Sequence, residues 1–154
     1  MLTSFALSSS SAALPTNLKI CTEKLGISPK VCNFSIALGA TVNMDGNCIF
    51  YSVIGLFLAR AYGVDIPMSS MLSFGVTIAL LSLATPGVAG AGIIMLATVL
   101  KSINVPVDAI GLLMGMFTLL GMTQTMCNTT GDVVASLIVA RSENLLDDKT
   151  YNDL

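Results

Sequence analysis

The 154-residue sequence contains no histidine and no tryptophan, and only 10% of its residues are charged. Without histidine it lacks the commonest general base near neutral pH and the commonest metal ligand. A histidine-assisted serine nucleophile is excluded, and neither Gly-x-Ser-x-Gly nor Ser-x-x-Lys occurs. Soluble domains carry about a quarter charged residues, because charge keeps a surface in water. A mean hydropathy of +0.84 with so little charge points to lipid instead. The formal net charge of -2 is small and the Lys and Arg residues are scattered, which argues against a nucleic-acid partner. Cys21, Cys32, Cys48 and Cys127 form no Cys-x-x-Cys pair, and read as reduced thiols packed among apolar groups. The missing tryptophan also removes the usual marker of membrane interfaces. Residues 1–7 lack the basic start and long apolar core of a secretory signal, so the chain is expected to begin inside a structure that started upstream.

What is present falls into five stretches and a tail. Ser8 to about Lys19 reads as a short helix opening at four serines, the end of a first hairpin (1–19). Lys19 to Lys30 is the most charged loop. Residues 31–61 form a long apolar run broken at Asn43-Met44-Asp45-Gly46. Residues 67–103 are apolar but cut at Thr85-Pro86-Gly87-Val88-Ala89-Gly90-Ala91-Gly92. Residues 109–140 form a last long helix, and 141–154 an acidic cytoplasmic tail. A spanning helix needs about 20 apolar residues. The pieces flanking Thr85–Gly92 are shorter and meet at glycines and a proline, which break helices. They are expected to form a re-entrant hairpin, tolerated at membrane depth only where it is buried in protein or lines a cavity.

The same grammar occurs twice. A small or polar tip is followed, about 35 residues later, by Asn close to Asp and Gly, and interrupted segments in matching positions of two halves point to a transporter site. With the Lys19–Lys30 loop placed inside, Lys19, Lys24, Lys30, Arg141 and Lys149 fall on the cytoplasmic side and only Arg60 and Lys101 outside. That distribution agrees with the positive-inside rule.

Asp45 and Asp132 are the only acids well inside apolar runs, and no Lys or Arg lies nearby in either run. A carboxylate at membrane depth costs at least ~2.5 kcal/mol unless something compensates it. Asn43 and Asn128 place amide oxygens beside the two acids. Oxygen-only clusters of this kind suit hard cations such as sodium, and a helix broken at Asn43–Gly46 frees carbonyls for one. Thr125, Asn128 and Asp132 share one helix face, with Gln124 at its edge. The serine tip supplies donors for an anionic group at a helix N-terminus. The glycines of the second tip leave room for close backbone approach and for a hinge.

With these residues assembled, the chain resembles the C-terminal transport core of the glutamate-transporter family, the dicarboxylate/amino acid:cation symporters. The matching segments are "SSSSAALP", "GATVNMDG" (Gly39–Gly46), "TPGVAGAGIIML" (Thr85–Leu96) and "NTTGDVVASLIVARSE" (Asn128–Glu143). The resemblance implies an all-α membrane protein of re-entrant helical hairpins plus transmembrane helices, one of them broken, as an inverted-repeat transport core. It implies a multi-pass cell-membrane carrier that is a homotrimer when full-length, moves like an elevator, and couples Na+ (or H+) to a small-molecule substrate across the lipid bilayer. It places substrate at Ser10, Val88 and Gly90, with Gln124, Thr125 and Asn128 on the last helix. One sodium site would use Gly39, Asn43, Asn128 and Asp132, and a second Asn43 and Asp45. Thr41, Met44, Ser82, Leu83 and Thr85 would lie near a third. The six helices that form the trimer scaffold in the family are expected to lie upstream.

Three positions depart from the pattern. Gly121 replaces an Asp that grips the substrate's amino group, Gln124 replaces an Arg that pairs a distal carboxylate, and Asn47 replaces a Thr. Gln cannot form a charge-assisted bidentate pair. These departures imply a neutral or unusual small solute with one carboxylate. Two other classes use comparable residues. An intramembrane aspartyl protease also needs two membrane Asp, but its Gly-x-Gly-Asp pattern is not met at Thr129-Thr130-Gly131-Asp132. A passive channel could line a filter with the glycine tips.

Overall fold

An apolar chain must satisfy its backbone polar groups internally, and here the apolar runs do so as helices. The computed structural model describes residues 1–153. Its elements are α1 (Leu2–Leu7), α2 (Ser10–Glu23), α3 (Pro29–Val42), α4 (Asp45–Ala61), α5 (Met68–Leu83), α6 (Ala91–Ser102), a 3-10 turn (Val107–Leu113), α7 (Phe117–Ser142) and α8 (Asp148–Asn152). No strand ladder occurs among the described residues, only an isolated bridge between Ile27 and Leu146.

α1 and α2 are the arms of a first hairpin. Its tip turns at Ser8 (φ 50), and Ser9 caps α2 by accepting from the Ala12 amide at 3.1 Å. α2 runs past Lys19 to Glu23, into residues expected as loop. α3 opens with Pro29, whose missing N–H is harmless in a first turn. It ends at Val42, where Asn43 (φ -95, ψ 83) and Met44 (φ -110, ψ 49) leave helical geometry before α4 begins. Together α3 and α4 form the one element among the described residues, Pro29–Ala61, that is long and apolar enough to cross a membrane.

α5 and α6 have 16 and 12 residues. At about 1.5 Å per residue each falls short of a ~30 Å hydrocarbon core. They pack on each other and on α4, and meet at a tip that turns at Gly90 (φ +84). The last run does not form one helix from residue 109. Its start is the 3-10 turn, bent 90° from α7. Gly111 and Gly115 weaken helix propagation there, while Ala109, Ile110 and Leu113 are drawn into the core beneath α4 and α6.

Two apolar cores result. One gathers Phe50, Leu58, Phe74, Leu96 and Leu100 from α4, α5 and α6. The other gathers Cys21, Cys32, Ile36 and Ala140 from α2, α3 and α7, with Ile27 from the α2–α3 loop. A seam of buried polar side chains lies between them, including Ser10, Asn47, Thr85, Asn128 and Asp132. Phe34, Ile49, Val53, Leu72, Ile94 and Ile138 face outward instead, a surface suited to lipid or protein rather than water.

The residues after α7 return to the α2–α3 loop. Leu145 carbonyl accepts from the Ser28 amide at 2.9 Å, and the Asp147 amide donates to Gly26 carbonyl at 2.8 Å. Arg141 pairs with Asp148 and lies 5.8 Å from the Tyr151 ring centroid. Asp147 starts α8, and the Thr150 hydroxyl, with the Lys149 amide, holds its carboxyl below the usual carboxylate range. A group shifted this way stabilises the fold above its unfolded pKa and loses that effect as pH falls through its folded value. Gly26 makes the clasp possible: its φ is +69, and a Cβ there would lie 2.7 Å from Asp147 carbonyl. Gly26→Ala is therefore expected to destabilise the clasp by about 1–2 kcal/mol. Thermal unfolding of the purified protein checks this, with faster proteolysis after Ser142 as the local signature.

Candidate functional site

Breaking a helix exposes carbonyls at one side of the gap and amides at the other. At the α3–α4 break α7 supplies partners for both. Asn128 Oδ1 accepts from the Gly46 amide at 2.7 Å, capping the start of α4. Asn43, at the end of α3, donates from Nδ2 to Asn128 carbonyl at 3.2 Å and to Asp132 Oδ1 at 2.9 Å. Asn128 Nδ2 points to Met44 Sδ at 3.2 Å and to Asn47 Oδ1 at 3.4 Å. Two asparagines thus stitch a discontinuous helix to an unbroken one.

Asp132 is 2% exposed, and its Oδ2 has no hydrogen-bond partner. The two ion pairs among the described residues are Lys19–Glu23 and Arg141–Asp148, so neither involves this acid. Small residues bring the helices close around it. A Cβ on Gly39 would overlap the Asp132 carboxylate, and one on Gly131 would lie 2.6 Å from Asn43 Nδ2 and 2.7 Å from Asp45 Oδ2. Gly39, Asn43, Asn128 and Asp132 therefore share one spot. Asp45 adjoins it from the α4 side but its side chain is exposed. The donor set is oxygen: a carboxylate, asparagine amides and the carbonyls of a broken helix. It fits a small hard cation, with the Met44 thioether, 3.2 Å from Asn128 Nδ2, as the soft group beside it.

The two tips meet beside this cluster. Ser9 Oγ donates to Gly87 carbonyl at 2.8 Å and the Ser11 amide to the same carbonyl at 3.0 Å. Gly87 has no room for a side chain, since a Cβ would lie 2.6 Å from Ala40 carbonyl. Between the tips and α7 is a cavity of about 40 Å³, lined by Ser10, Asn47, Val88, Gly90, Gln124, Thr125 and Asn128 among others. Gly121 also lines it. Gln124 is buried, its Nε2 lacks a partner, and its Oε1 would lie 3.3 Å from a Cβ on Gly92. An unsatisfied amide donor in a polar cavity is the mark of a site waiting for an acceptor. At about 40 Å³ the cavity is far smaller than the ~300–1,000 Å³ of typical ligand pockets.

The remaining expected residues do not share one environment. Met44, Ser82 and Thr85 are buried. Thr41 is exposed, with its hydroxyl turned back to Leu38 carbonyl at 2.7 Å, and Leu83 is 52% exposed. Val88 lines the cavity but is 55% exposed. Sequence reasoning did not single out Ser9, which ties the tips, or Tyr51, which reaches Thr85. Nothing in a run of four serines says which one caps, and an apolar helix hides a single tyrosine.

The family model described as the sodium:dicarboxylate symporter family matches residues 1–142. Similar proteins include glt-4 of Caenorhabditis elegans, named as a sodium-dependent excitatory amino acid transporter, 33% identical over 92% of this chain and 28% of its own length. Mouse excitatory amino acid transporter 3 is 30% identical over 92% of this chain and 27% of its own. Mouse neutral amino acid transporter B(0) is 35% identical over 84% of this chain and 24% of its own. The chain thus spans about a quarter of the length of these relatives.

The close approaches around Asp132 can be tested separately from any ion. Gly39→Ala and Gly131→Ala are each expected to cost about 1–3 kcal/mol of stability. Gly75→Ala, on α5 with nothing within 4 Å of its Cβ, is expected to be neutral or stabilising. Thermal unfolding of the three variants without sodium ranks them.

Proposed function

The chain belongs to the sodium:dicarboxylate symporter family, and from that premise we propose that it is part of the transport core of a sodium-coupled carrier for a small solute bearing one carboxylate. The family is one of membrane transporters rather than enzymes, which removes the aspartyl-protease alternative. The observation that carries the proposal is the unpartnered Oδ2 of buried Asp132, beside a helix break and flanked by Asn43 and Asn128.

The charge argument supplies the coupling. A bare carboxylate in the bilayer costs about 2.5–3.5 kcal/mol or more, and a sodium ion cancels that charge. Gly39, Asn43, Asn128 and Asp132 form the first ion site in this reading, Asn43 and Asp45 the second. Thr41, Met44, Ser82, Leu83 and Thr85 contribute to a third, with protons as an alternative coupling ion. An ion-free core is held back by its charge and a loaded one is free to cross, which fits an elevator-like motion. The full-length protein is then a homotrimer in the cell membrane, with residues 141–154 on the cytoplasmic side.

Solute selection rests on the cavity. Ser10, Val88 and Gly90 contact the carboxylate end from the two tips, and Thr125 and Asn128 contact it from α7. Gln124 reads the far end with its free amide. No cationic side chain lines the cavity to face a second carboxylate, and Gly121 offers no carboxylate to an ammonium group. The printed names of the relatives include both excitatory and neutral amino acid transporters. Gln124 favours the uncharged side of that divide.

Titrating the purified full-length protein with Na+ is expected to raise its unfolding temperature. At sodium one hundred times Kd the gain is about 2.7 kcal/mol. Asp132→Asn is expected to abolish this response, and an unchanged response in that variant would refute the ion site. Independently, Gln124→Arg is expected to shift uptake in proteoliposomes toward acidic solutes by at least roughly tenfold, because a guanidinium forms the bidentate pair that an amide cannot.

A further inference from the structure

Tyr51 is the largest of the fully buried side chains, at 0% exposure, and no ion or solute contact accounts for its hydroxyl. It lies on α4 in the apolar core formed by α4, α5 and α6, with its ring edge-on to Phe50 at 5.7 Å between centroids. Its hydroxyl is 2.9 Å from Thr85 Oγ1. Thr85 donates its own hydrogen to Leu81 carbonyl at 2.7 Å, so the phenol is the donor and Thr85 the acceptor. Thr85 begins the second tip, two residues before Gly87, whose carbonyl receives Ser9 and Ser11. On the other arm, a Cβ on Gly92 would lie 3.9 Å from the same phenol oxygen. The hydroxyl therefore stands between the two arms of the tip.

One turn earlier on the same face of α4 is Asn47, whose Oδ1 is 3.4 Å from Asn128 Nδ2. α4 thus carries two polar contacts in succession: one to the α7 residue beside the ion cluster, and one to the base of the tip. We propose that Tyr51 is a positioning residue that latches the second tip shut and ties its closure to the α4–α7 seam. Opening the tip would draw Thr85 away and leave the buried phenol without its acceptor, with only the Asn47 side chain, itself engaged by Asn128, as a polar neighbour. A buried donor that loses its partner is penalised well beyond the net value of the bond it made. The latch rests on the carrier reading, since it presumes a tip that opens to admit solute.

The test uses full-length protein with its native cysteines replaced and one reporter cysteine introduced, Val88→Cys in the tip or Lys101→Cys at the far end of α6. Maleimide labelling is followed in sodium. Tyr51→Phe is expected to speed labelling at position 88 by roughly five- to tenfold and to leave position 101 unchanged. Thr85→Val is expected to do the same, and the double variant to be no faster than either single one. Equal labelling of Tyr51→Phe and its parent, multiplying effects in the double variant, or a matching rise at position 101 would overturn the latch. Sodium-dependent uptake, measured on the parent, stands apart. Its absence would refute the carrier while the labelling result still decides whether Tyr51 holds the tip.

Discussion

One oxygen of Asp132 accepts from Asn43 while the other is buried with nothing to bind, and much of the surrounding structure is arranged so that this can persist. Folding does not by itself favour a half-satisfied carboxylate in an apolar helix. The helices nevertheless close around it: Gly39 and Gly131 are so near that neither tolerates a methyl group. Ser136, one turn on, donates to Asp132 carbonyl at 2.7 Å and contacts Ser35 of α3 at 2.6 Å. The neighbourhood is closely packed and hydrogen-bonded on the other sides of the carboxylate.

The break in the α3–α4 helix follows from the same constraint. An unbroken helix would consume its own carbonyls and amides and offer nothing to an ion or to Asn128. Interrupting it at Asn43–Met44 creates backbone donors and acceptors at depth, which is tolerable only because α7 and both tips cover the gap. The two apolar cores then serve as separate anchors. One fixes α4 to the second hairpin, the other fixes α2 and α3 to the end of α7. The polar seam is where the two bodies meet, and it is the natural plane for a small rearrangement.

Much of this was legible in the sequence because depth in a membrane penalises polarity so heavily. Asp45 and Asp132 stood out against their apolar runs, and the Asn-Met-Asp-Gly and Thr85–Gly92 interruptions marked the irregular backbone. Asn43, Asn128 and Asp132 fall together, as oxygen-rich neighbours on a broken and a continuous helix would. Less legible were features set by packing. Asp45 is exposed here while Asp132 is buried, although both look alike in hydropathy. The 90° bend before α7 has no proline inside it, and its glycines are no more conspicuous than those elsewhere. The clasp of residues 144–152 onto the α2–α3 loop lies beyond the part matched to the family, and its single bridge is too short for any strand pattern to announce it.

Chemistry at the solute cavity is decided by what faces it rather than by its size. At about 40 Å³ it is small, and residues of both tips line it. Hydroxyls and amides dominate its polar lining, with Ser10, Thr125, Asn128 and Gln124 and no charged side chain. Neutral groups discriminate by geometry, because an acceptor that fails to reach a buried donor such as Gln124 Nε2 leaves it unsatisfied. A full charge at the same place would attract acidic solutes strongly but would also have to be neutralised whenever the cavity stood empty. Replacing it by an amide removes that demand. The one buried charge left in the seam among the described residues is then Asp132.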